Sequence, residues 1–448
     1  MTVSDTVNVL LVNPWIHDVA AYDFWASPMG LLQIGARLRQ AGARVALLDC
    51  VNRFHPGLPP TDPTLRHGRG PYPKQPIPKP AALSDVPRRF CRYGVPPEVV
   101  RRDLAAMPRP DIVLVTSFMT YWYPGVIETI RELRSAFGDV PIVLGGIYAR
   151  LCPRHARATS GADRVVDYPV GEDVVALVSE MTGTRLEATS TSDPEPLPAF
   201  DLMPVLPFVP ILTTTGCPFS CAYCASSFLN PVFRRRPVDA VFSEIRFWHE
   251  SRRVCDFVLY DDAFLIDAAR HALPLLEAVI RSGLHDRIRF HTPNALHVRE
   301  IDVETANLLF CSGFKTIRLG LETTLFGEDR PFDVKVQAEE FIRAAQSLLQ
   351  AGFEPNQVGA YLLAGCPDQS ETEVLQAIRA VKAAGLTPIP AYYTPIPHTA
   401  LWERACAVSR YPLAEDPIYT NNAIFPCMPQ GFDWKWIRRL KEAIHETP

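Results

Sequence analysis

Short apolar runs alternate with helical patterns along residues 7–181, and this alternation limits the folds that the chain can adopt. Candidate strands occupy 7–12, 44–49, 111–117, 141–146 and a run that begins at 163, and helical patterns occupy 30–42, 125–137 and the residues up to 181. Strands that alternate with helices are typical of a parallel sheet covered on both faces. The sequence therefore predicts an α/β fold that opens with a doubly wound, Rossmann-like domain over residues 1–181.

A second series of strands and helices follows a polar, proline-rich segment at 182–204, which we interpret as a linker. The candidate strands of this series are 209–215, 256–262, 287–292, 316–322, 357–365 and 388–395. Six β-α units in succession predict a (βα)6 partial TIM barrel over residues 205–405. Residues 406–448 carry one further helical pattern and are expected to form a short helical C-terminal tail.

Composition disfavours several classes of protein. A formal net charge of −4 argues against a general nucleic-acid partner. No apolar run approaches the roughly 20 residues that a membrane span needs, and the N-terminus lacks the pattern of a signal peptide. Eleven cysteines, an odd number in a long chain, do not resemble a secreted disulfide framework. We therefore expect a cytoplasmic protein.

One proline-rich, basic insertion interrupts the first series at residues 52–97. It holds 12 of the 43 prolines, and the charges of its eight Lys and Arg residues are offset by only two acidic residues, Asp62 and Asp85. So many prolines exclude long helices and central strands. A connection of this length is uncommon in a compact domain unless it has a function. A lid, a basic strap over an anionic ligand and a solvated surface loop are the three interpretations that stay open.

Three cysteines fall inside eight residues, at Cys217, Cys221 and Cys224. Their C-x3-C-x2-C loop directly follows a candidate strand, which places it at the C-terminal mouth of the predicted barrel, where active sites lie. A structural zinc site usually takes two CxxC-like pairs, and the sequence has no second pair. Three thiolates in one loop instead suit a [4Fe–4S] cluster with one iron left open to another ligand.

This loop, with Tyr223 just before its last cysteine, resembles the radical S-adenosylmethionine (SAM) enzymes, and the resemblance covers most of residues 205–405. Companion segments resemble the subgroup that has N-terminal cobalamin-type domains: YDDAF (260–264), GLET (320–323), LLAGCPDQSETE (362–373, with Asp368 where glycine is usual) and YYTPIPHTALWE (392–403). In the N-terminal half, residues 27–50, 116–134 and 143–156 resemble the cobalamin-binding domain of these enzymes.

The resemblance implies a mechanism and a set of binding residues. A [4Fe–4S] cluster on the three cysteines would cleave SAM to a 5′-deoxyadenosyl radical, with one electron from an external reductant of flavodoxin or ferredoxin type. The expected SAM contacts are Tyr223, Asp261, Asp262, Arg318 and Glu322. Two alternatives stay open: the two aspartates could cap the N-terminus of a helix, and Arg318 could form an ordinary salt bridge. His291 and Asn294 are expected to face the barrel mouth, where a substrate contact and a structural role are both open.

Cobalamin is expected at the carboxyl ends of the first-domain strands, at Thr116, Ser117, Gly145 and Gly146, although tight turns alone would also explain these residues. The Asp-x-His-x-x-Gly pattern that supplies a histidine to cobalt is absent, because no glycine follows His17 at the right spacing. The leading interpretation is cobalamin-dependent methyl transfer to a carbon centre of a small molecule. The alternative is a cobalamin-independent rearrangement, cyclisation or C–S bond reaction with a repurposed Rossmann domain.

Overall fold

The computed structural model describes residues 6–187, 195–327, 330, 332–333 and 335–446, which divide into two units. The first unit runs from the first described residue to Leu206 and takes in Ala414–Ala423. The second runs from Pro207 to Leu413 and takes in the residues from Ile424 onward. The expected C-terminal tail is thus divided between the two units, because Ala414–Ala423 belongs to the first unit.

The first unit is built on a parallel sheet of five strands. The strands of the whole unit, in chain order, are β1 Asn8–Asn13, β2 Ile16–Asp18, β3 Arg44–Asp49, β4 Lys74–Pro76, β5 Cys91–Tyr93, β6 Ile112–Val115, β7 Ile142–Leu144 and β8 Arg164–Val165. The parallel sheet has the order β3-β1-β6-β7-β8. The chain order therefore reverses between β1 and β6, and such a switch point is where doubly wound folds bind ligands.

Helices cover both faces of this sheet. They are α1 Met29–Gln40, α2 Pro97–Ala106, α3 Tyr123–Phe137, α4 Ile147–Leu151, α5 Pro153–Thr159 and α6 Val174–Thr182. Alternate residues of β1 enter different cores: Leu10 and Val12 pack with α2 and α3, whereas Val9 and Leu11 pack with α1 and α6. Burial on both faces explains why these strands read as continuous apolar runs. The doubly wound domain predicted from the sequence is confirmed.

The proline-rich insertion is an ordered part of the first unit. Its strands β4 and β5 pair antiparallel with β2 to form a small second sheet. Arg53 reaches the buried Asp23, with 2.7 Å between Nε and Oδ2. Arg92, which the sequence offered as part of a basic strap, is paired with Glu128. Short antiparallel pairing and the buried Arg53–Asp23 pair thus hold the segment in place, while most of residues 56–66 are exposed at the surface.

The described end of the predicted linker contacts α1. The backbone N–H of Ala199 donates to Leu32 O over 3.1 Å, and Arg39 pairs with Asp201 at 2.7 Å. Phe200 between them is fully buried. Residues 188–194 of the predicted linker lie outside the described residues. The part of the segment from Ala199 to Asp201 is thus anchored to the first unit.

The second unit is built on six parallel strands in chain order. The strands of the whole unit are β9 Val209–Ile211, β10 Thr214–Thr215, β11 Arg234–Arg235, β12 Asp256–Leu259, β13 Arg289–His291, β14 Phe314–Glu322, β15 Val358–Ala364 and β16 Thr387–Tyr392, of which β10 and β11 form a separate pair. The large sheet has the order β16-β15-β14-β13-β12-β9. Neighbours that follow one another along the chain form an open barrel wall. The predicted (βα)6 partial barrel is confirmed.

Helices connect the strands of the second unit and complete its outer layer. They are α7 Ser226–Leu229, α8 Val238–Arg252, α9 Ala272–Arg281, α10 Val303–Cys311, α11 Ala338–Gln350, α12 Glu371–Ala383, α13 Trp402–Val408 and α14 Lys435–His445. The last of these packs on α12, where Arg439 pairs with Glu371 at 2.6 Å. Within the described parts of the chain, no helix has the length and apolar character that a bilayer crossing needs.

Candidate active site

A buried carboxylate fixes the start of the cysteine loop. Asp261, which follows β12, accepts four hydrogen bonds at Oδ1: from the backbone N–H groups of Thr213 and Thr214 at 3.0 and 2.5 Å, and from their hydroxyls at 2.7 and 2.8 Å. Burial raises the pKa of Asp261 to about 6, although these hydrogen bonds lower it. Asp261 therefore holds β10 against the end of β12, a structural role that neither sequence-based interpretation included.

The three cysteines of the loop lie close enough to influence one another. All are free thiols. Burial raises the pKa of Cys217, and it raises the pKa of Cys221 to about 12; the charge of Cys224 adds to both shifts. The Sγ of Cys217 lies 3.9 Å from Nε2 of His297. Three converging thiols with no disulfide between them are a donor set that fits an iron–sulfur cluster.

A short chain of hydrogen bonds joins Asp262 to this loop. The hydroxyl of Ser226 donates to Oδ2 of Asp262 over 3.0 Å, and the backbone N–H of Ser226 donates to Sγ of Cys224 over 3.4 Å. Burial raises the pKa of Asp262, which is partly exposed, and the Ser226 hydrogen bond lowers it. Of the two predicted aspartates, Asp262 is therefore the partly exposed one that is linked to Cys224 through Ser226, whereas Asp261 is buried and its Oδ1 is bonded to Thr213 and Thr214.

Tyr223 and Glu322 meet in a buried ionic cluster, which we define as Glu322, Arg330, Asp333 and Lys335. Lys335 Nζ lies 3.0 Å from Glu322 Oε1 and donates to the hydroxyl of Tyr223 over 3.2 Å. Arg330 lies 3.4 Å from Glu322 and 2.8 Å from Asp333. Burial raises the pKa of Tyr223, so this phenol stays protonated. Two cations and two carboxylates balance one another here.

The ionic cluster also ties the segment after β14 to the cysteine loop. The backbone N–H of Ala222 donates to Phe332 O over 2.9 Å, and the rings of Tyr223 and Phe332 meet edge to face. Burial lowers the pKa of Lys335, but its acidic neighbours, Glu322 first among them, outweigh that effect and raise it. Lys335 therefore brings a positive charge next to the cysteine thiols.

Arg318 does not join the group that the sequence predicted. Its Nη1 donates to Ile317 O at 2.8 Å and to Gln357 O at 3.5 Å. Gln357 precedes the first residue of β15, whereas Glu322 is the last residue of β14. Strand alternation also fails here, because the pairing of β14 with β15 shifts between Gly320 and Glu322, where Glu322 has a φ of 61°. The expected SAM contact of Arg318 is not supported by this placement.

His291 occupies a closed hydrogen-bonding network instead of the barrel mouth. Its Nε2 lies 2.8 Å from Asp256 Oδ1, and its Nδ1 lies 3.0 Å from Thr316 Oγ1. The side chain is fully buried, and Arg289 also pairs with Asp256. The structural interpretation of His291 is therefore the correct one. Asn294 is exposed and donates to Tyr260 O over 2.7 Å, beyond the end of β12.

The predicted cobalamin residues lie at the carboxyl edge of β6 and β7. The hydroxyl of Ser117 donates to Gly145 O over 2.6 Å, so it is engaged within the fold. Gly146 has a φ of 93°, and a Cβ there would lie 2.2 Å from Ser117 O. Only glycine fits that position. A Cβ at Gly145 would meet no described atom within 4 Å, so open space remains beside Gly145 and the partly exposed Thr116.

His17 is engaged by a carboxylate of the same unit. Its Nε2 lies 2.6 Å from Glu128 Oε2, and the side chain is almost fully buried. Burial raises the pKa of Glu128, but His17 and Arg92 outweigh this effect and lower it to about 2. The histidine that follows the first strand is thus part of an internal ion-pair network, which agrees with the absence of the cobalt-binding pattern.

Several polar residues near these edges were not predicted from the sequence. In the second unit they are His297, Arg330, Asp333 and Lys335; in the first they are Tyr123, which donates to Asp416 over 3.0 Å, and Tyr148, which lies 2.7 Å from Nδ1 of His155. Burial lowers the pKa of His297 to about 4, so its imidazole is neutral. None of these residues belongs to a local sequence motif. Their position shortly after a strand is the feature of the sequence that could have marked them as candidates.

Comparisons with known proteins agree with this geometry. Residues 211–381 match the family model of the radical SAM superfamily. An uncharacterized methyltransferase of Pyrococcus horikoshii, PH0819, is 25% identical over 224 residues, which are 48% of this chain and 47% of that protein. The match thus spans about half of the length of this relative.

Two solved structures share the fold. TsrM from Kitasatospora setae, a radical SAM methyltransferase with tryptophan substrate and a SAM analogue bound, has a TM-score of 0.64 at 17% identity, covering 90% of this chain and 77% of its own. OxsB, a cobalamin-dependent SAM radical enzyme, has a TM-score of 0.57 at 12% identity, covering 93% and 57%. The chain therefore carries a radical SAM domain, in a fold that it shares with these two enzymes.

Proposed function

We propose that this chain is a radical SAM enzyme that holds a [4Fe–4S] cluster on Cys217, Cys221 and Cys224. The observation that carries the proposal is that one loop, at the carboxyl edge of a six-stranded parallel sheet, holds three free and partly buried thiols. A reduced cluster of this type supplies the electron that cleaves SAM to a 5′-deoxyadenosyl radical. The protein contributes binding, orientation and exclusion of water.

The residues around the loop support separate roles. Asp262 is placed to accept hydrogen bonds from the SAM ammonium or ribose, because its carboxylate is linked to Cys224 only through Ser226. Tyr223 and Glu322 border the same loop, and we propose that they position it while contacting SAM. Asp261 fixes the start of the loop through its hydrogen bonds with Thr213 and Thr214. Arg318 has no role in this proposal.

We further propose that the first unit binds cobalamin at the edge formed by Thr116, Gly145 and Gly146. The open space beside Gly145 and the switch point of the sheet support this assignment. A structure of TsrM contains cobalamin and a [4Fe–4S] cluster, and one of OxsB contains aqua-cobalamin and SAM. Bound cobalamin would supply a methyl carrier. Ser117 would shape this site, since its hydroxyl is already bonded to Gly145 O.

Methyl transfer to a carbon centre of a small molecule is the reaction that we propose. Its support is the named methyltransferase relative and the tryptophan substrate held by TsrM. A flavodoxin or ferredoxin of the cell would supply the electron. Free thiols and a reduced cluster suit a reducing compartment, and we therefore propose a cytoplasmic location. The alternative is radical chemistry without cobalamin. In that case no cobalamin would bind at the sheet edge beside Gly145.

Cleavage of SAM tests the central proposal. Protein reconstituted anaerobically with iron and sulfide, then reduced with dithionite, is expected to release 5′-deoxyadenosine from SAM even without substrate. Product chromatography measures it, and the Cys217→Ala variant is the blank. If the wild-type protein neither binds SAM nor cleaves it, the assignment is wrong. Formation of S-adenosylhomocysteine without 5′-deoxyadenosine would keep methyl transfer and overturn the radical step.

Cobalamin binding without a histidine ligand tests the proposal for the first unit. Since His17 is paired with Glu128, the cob(II)alamin form of the loaded protein is expected to show no nitrogen hyperfine coupling from a protein ligand in paramagnetic resonance. His17→Ala should leave that spectrum unchanged. A nitrogen coupling that disappears in His17→Ala would contradict the prediction. Failure of a folded, cluster-loaded protein to bind hydroxocobalamin would favour the alternative reaction.

A further inference from the structure

An exposed aromatic side chain lies directly after the cysteine loop. Phe228, on the short helix α7, is 41% exposed and stacks on the exposed ring of His398, with ring centroids 4.1 Å apart and 3° between the planes. Val232, four residues further along, is 53% exposed. Single exposed apolar residues need no explanation, but neighbouring ones form a patch that can contact another protein.

This apolar patch is connected to the cysteine loop at both ends. Ser226, the first residue of α7, donates its backbone N–H to Sγ of Cys224 over 3.4 Å. At the other end, Val232 O would lie 2.7 Å from a Cβ placed at Gly216, which has a φ of 73° and precedes Cys217. Electron transfer between proteins weakens steeply with distance. The patch therefore lies close to two of the three thiols: Cys224, which Ser226 contacts, and Cys217, the neighbour of Gly216.

A basic rim borders the apolar patch. Arg234 pairs across the β10–β11 ladder with Thr215 and is exposed. Arg235 and Arg270 both reach Asp267, at 3.1 and 4.0 Å. Arg235 and Arg270 together exceed the charge of Asp267 by one, and the exposed Arg234 next to Arg235 adds a further positive charge, in a chain whose net charge is −4. An apolar centre inside a charged rim is the usual anatomy of a small transient interface.

We propose that Phe228, Val232 and His398, with the rim of Arg234, Arg235 and Arg270, form the docking surface for an acidic one-electron carrier protein. This inference rests on the proposed function, because the docked carrier would reduce the cluster on the adjacent loop. Opposite charges on the two partners accelerate their association and set their orientation. Exclusion of water by the apolar centre brings the carrier's redox group close to α7.

The test compares two reductants on one set of variants. The charge variant is Arg234→Glu/Arg270→Glu, and its matched control is Arg246→Glu/Arg281→Glu, which reverses two exposed arginines on α8 and α9. The apolar variant is Phe228→Ala, and its control is Phe247→Ala, an exposed phenylalanine on α8. Formation of 5′-deoxyadenosine from SAM is measured with reduced acidic flavodoxin at low salt and, separately, with dithionite.

With flavodoxin, the charge variant is expected to lose about tenfold in rate at low salt, and Phe228→Ala is expected to be slower than Phe247→Ala. With dithionite, a small reductant that needs no docking surface, all variants should match the wild type. Equal flavodoxin rates in the charge variant and its control would overturn the docking proposal alone. Absence of cleavage by the wild type with either reductant would overturn the proposed function and this inference with it.

Discussion

Alanine at Cys217, Cys221 or Cys224 is expected to abolish the iron–sulfur cluster and, with it, all cleavage of SAM. The three thiols come from one loop and are free, and a cluster that already leaves one iron open has no spare protein ligand to lose. Iron content and the visible absorbance of the anaerobically reconstituted protein measure the effect. Each single variant should fall to the level of the triple variant.

The matched controls are Cys50→Ala and Cys255→Ala. Cys50 is fully buried in the first unit, and Cys255 lies before β12 with its Sγ 3.5 Å from Arg253 O. Both variants should retain their iron. A second set of three cysteines in the second unit is Cys366, Cys406 and Cys427: burial raises the pKa of Tyr393, and the charges of these three residues add to the shift. Full iron content in the triple variant of the first trio would contradict the assignment and point to this second one.

Periodicity was sufficient to predict the architecture, and the spacing of three cysteines was sufficient to propose the cluster ligands. Strands buried on both faces read as continuous apolar runs, and the helices between them keep an amphipathic period, so both parallel sheets could be predicted. The cysteines could be proposed as ligands because all three lie in one loop. Both signals are local, and local signals are what a single sequence records well.

The remaining site residues depend on contacts that no local pattern encodes. Lys335 lies 13 positions beyond Glu322 and yet pairs with it, and Phe332 between them accepts a hydrogen bond from Ala222 of the cysteine loop. Strand alternation alone would place Arg318 and Glu322 on one face, but the pairing of β14 with β15 is irregular between Gly320 and Glu322. His291 was placed at the mouth by its position after a strand, but Asp256 and Thr316 hold it in the barrel wall.

The ionic cluster leads to a prediction about stability. Lys335→Met removes one of two cations from a nearly buried group of four charges and leaves Arg330, at 3.4 Å, as the remaining cation of this cluster beside Glu322. Breaking a buried pair by removing one partner typically costs about 3–5 kcal/mol of unfolding free energy, because a charge stays buried without compensation. The variant should unfold at markedly lower urea concentration, as followed by tryptophan fluorescence.

Two further variants separate charge from packing. The double variant Lys335→Met/Glu322→Gln leaves Arg330 and Asp333 as a balanced pair at 2.8 Å, so it should recover part of the loss. Arg404→Met breaks an ion pair with Asp368 whose side chains are more than half exposed, and should cost at most about 1 kcal/mol. Because Phe332 O holds the backbone N–H of Ala222, Lys335→Met is also expected to retain iron poorly. A Lys335→Met protein as stable as Arg404→Met would show that the cluster contributes no net stability and that another feature positions the cysteine loop.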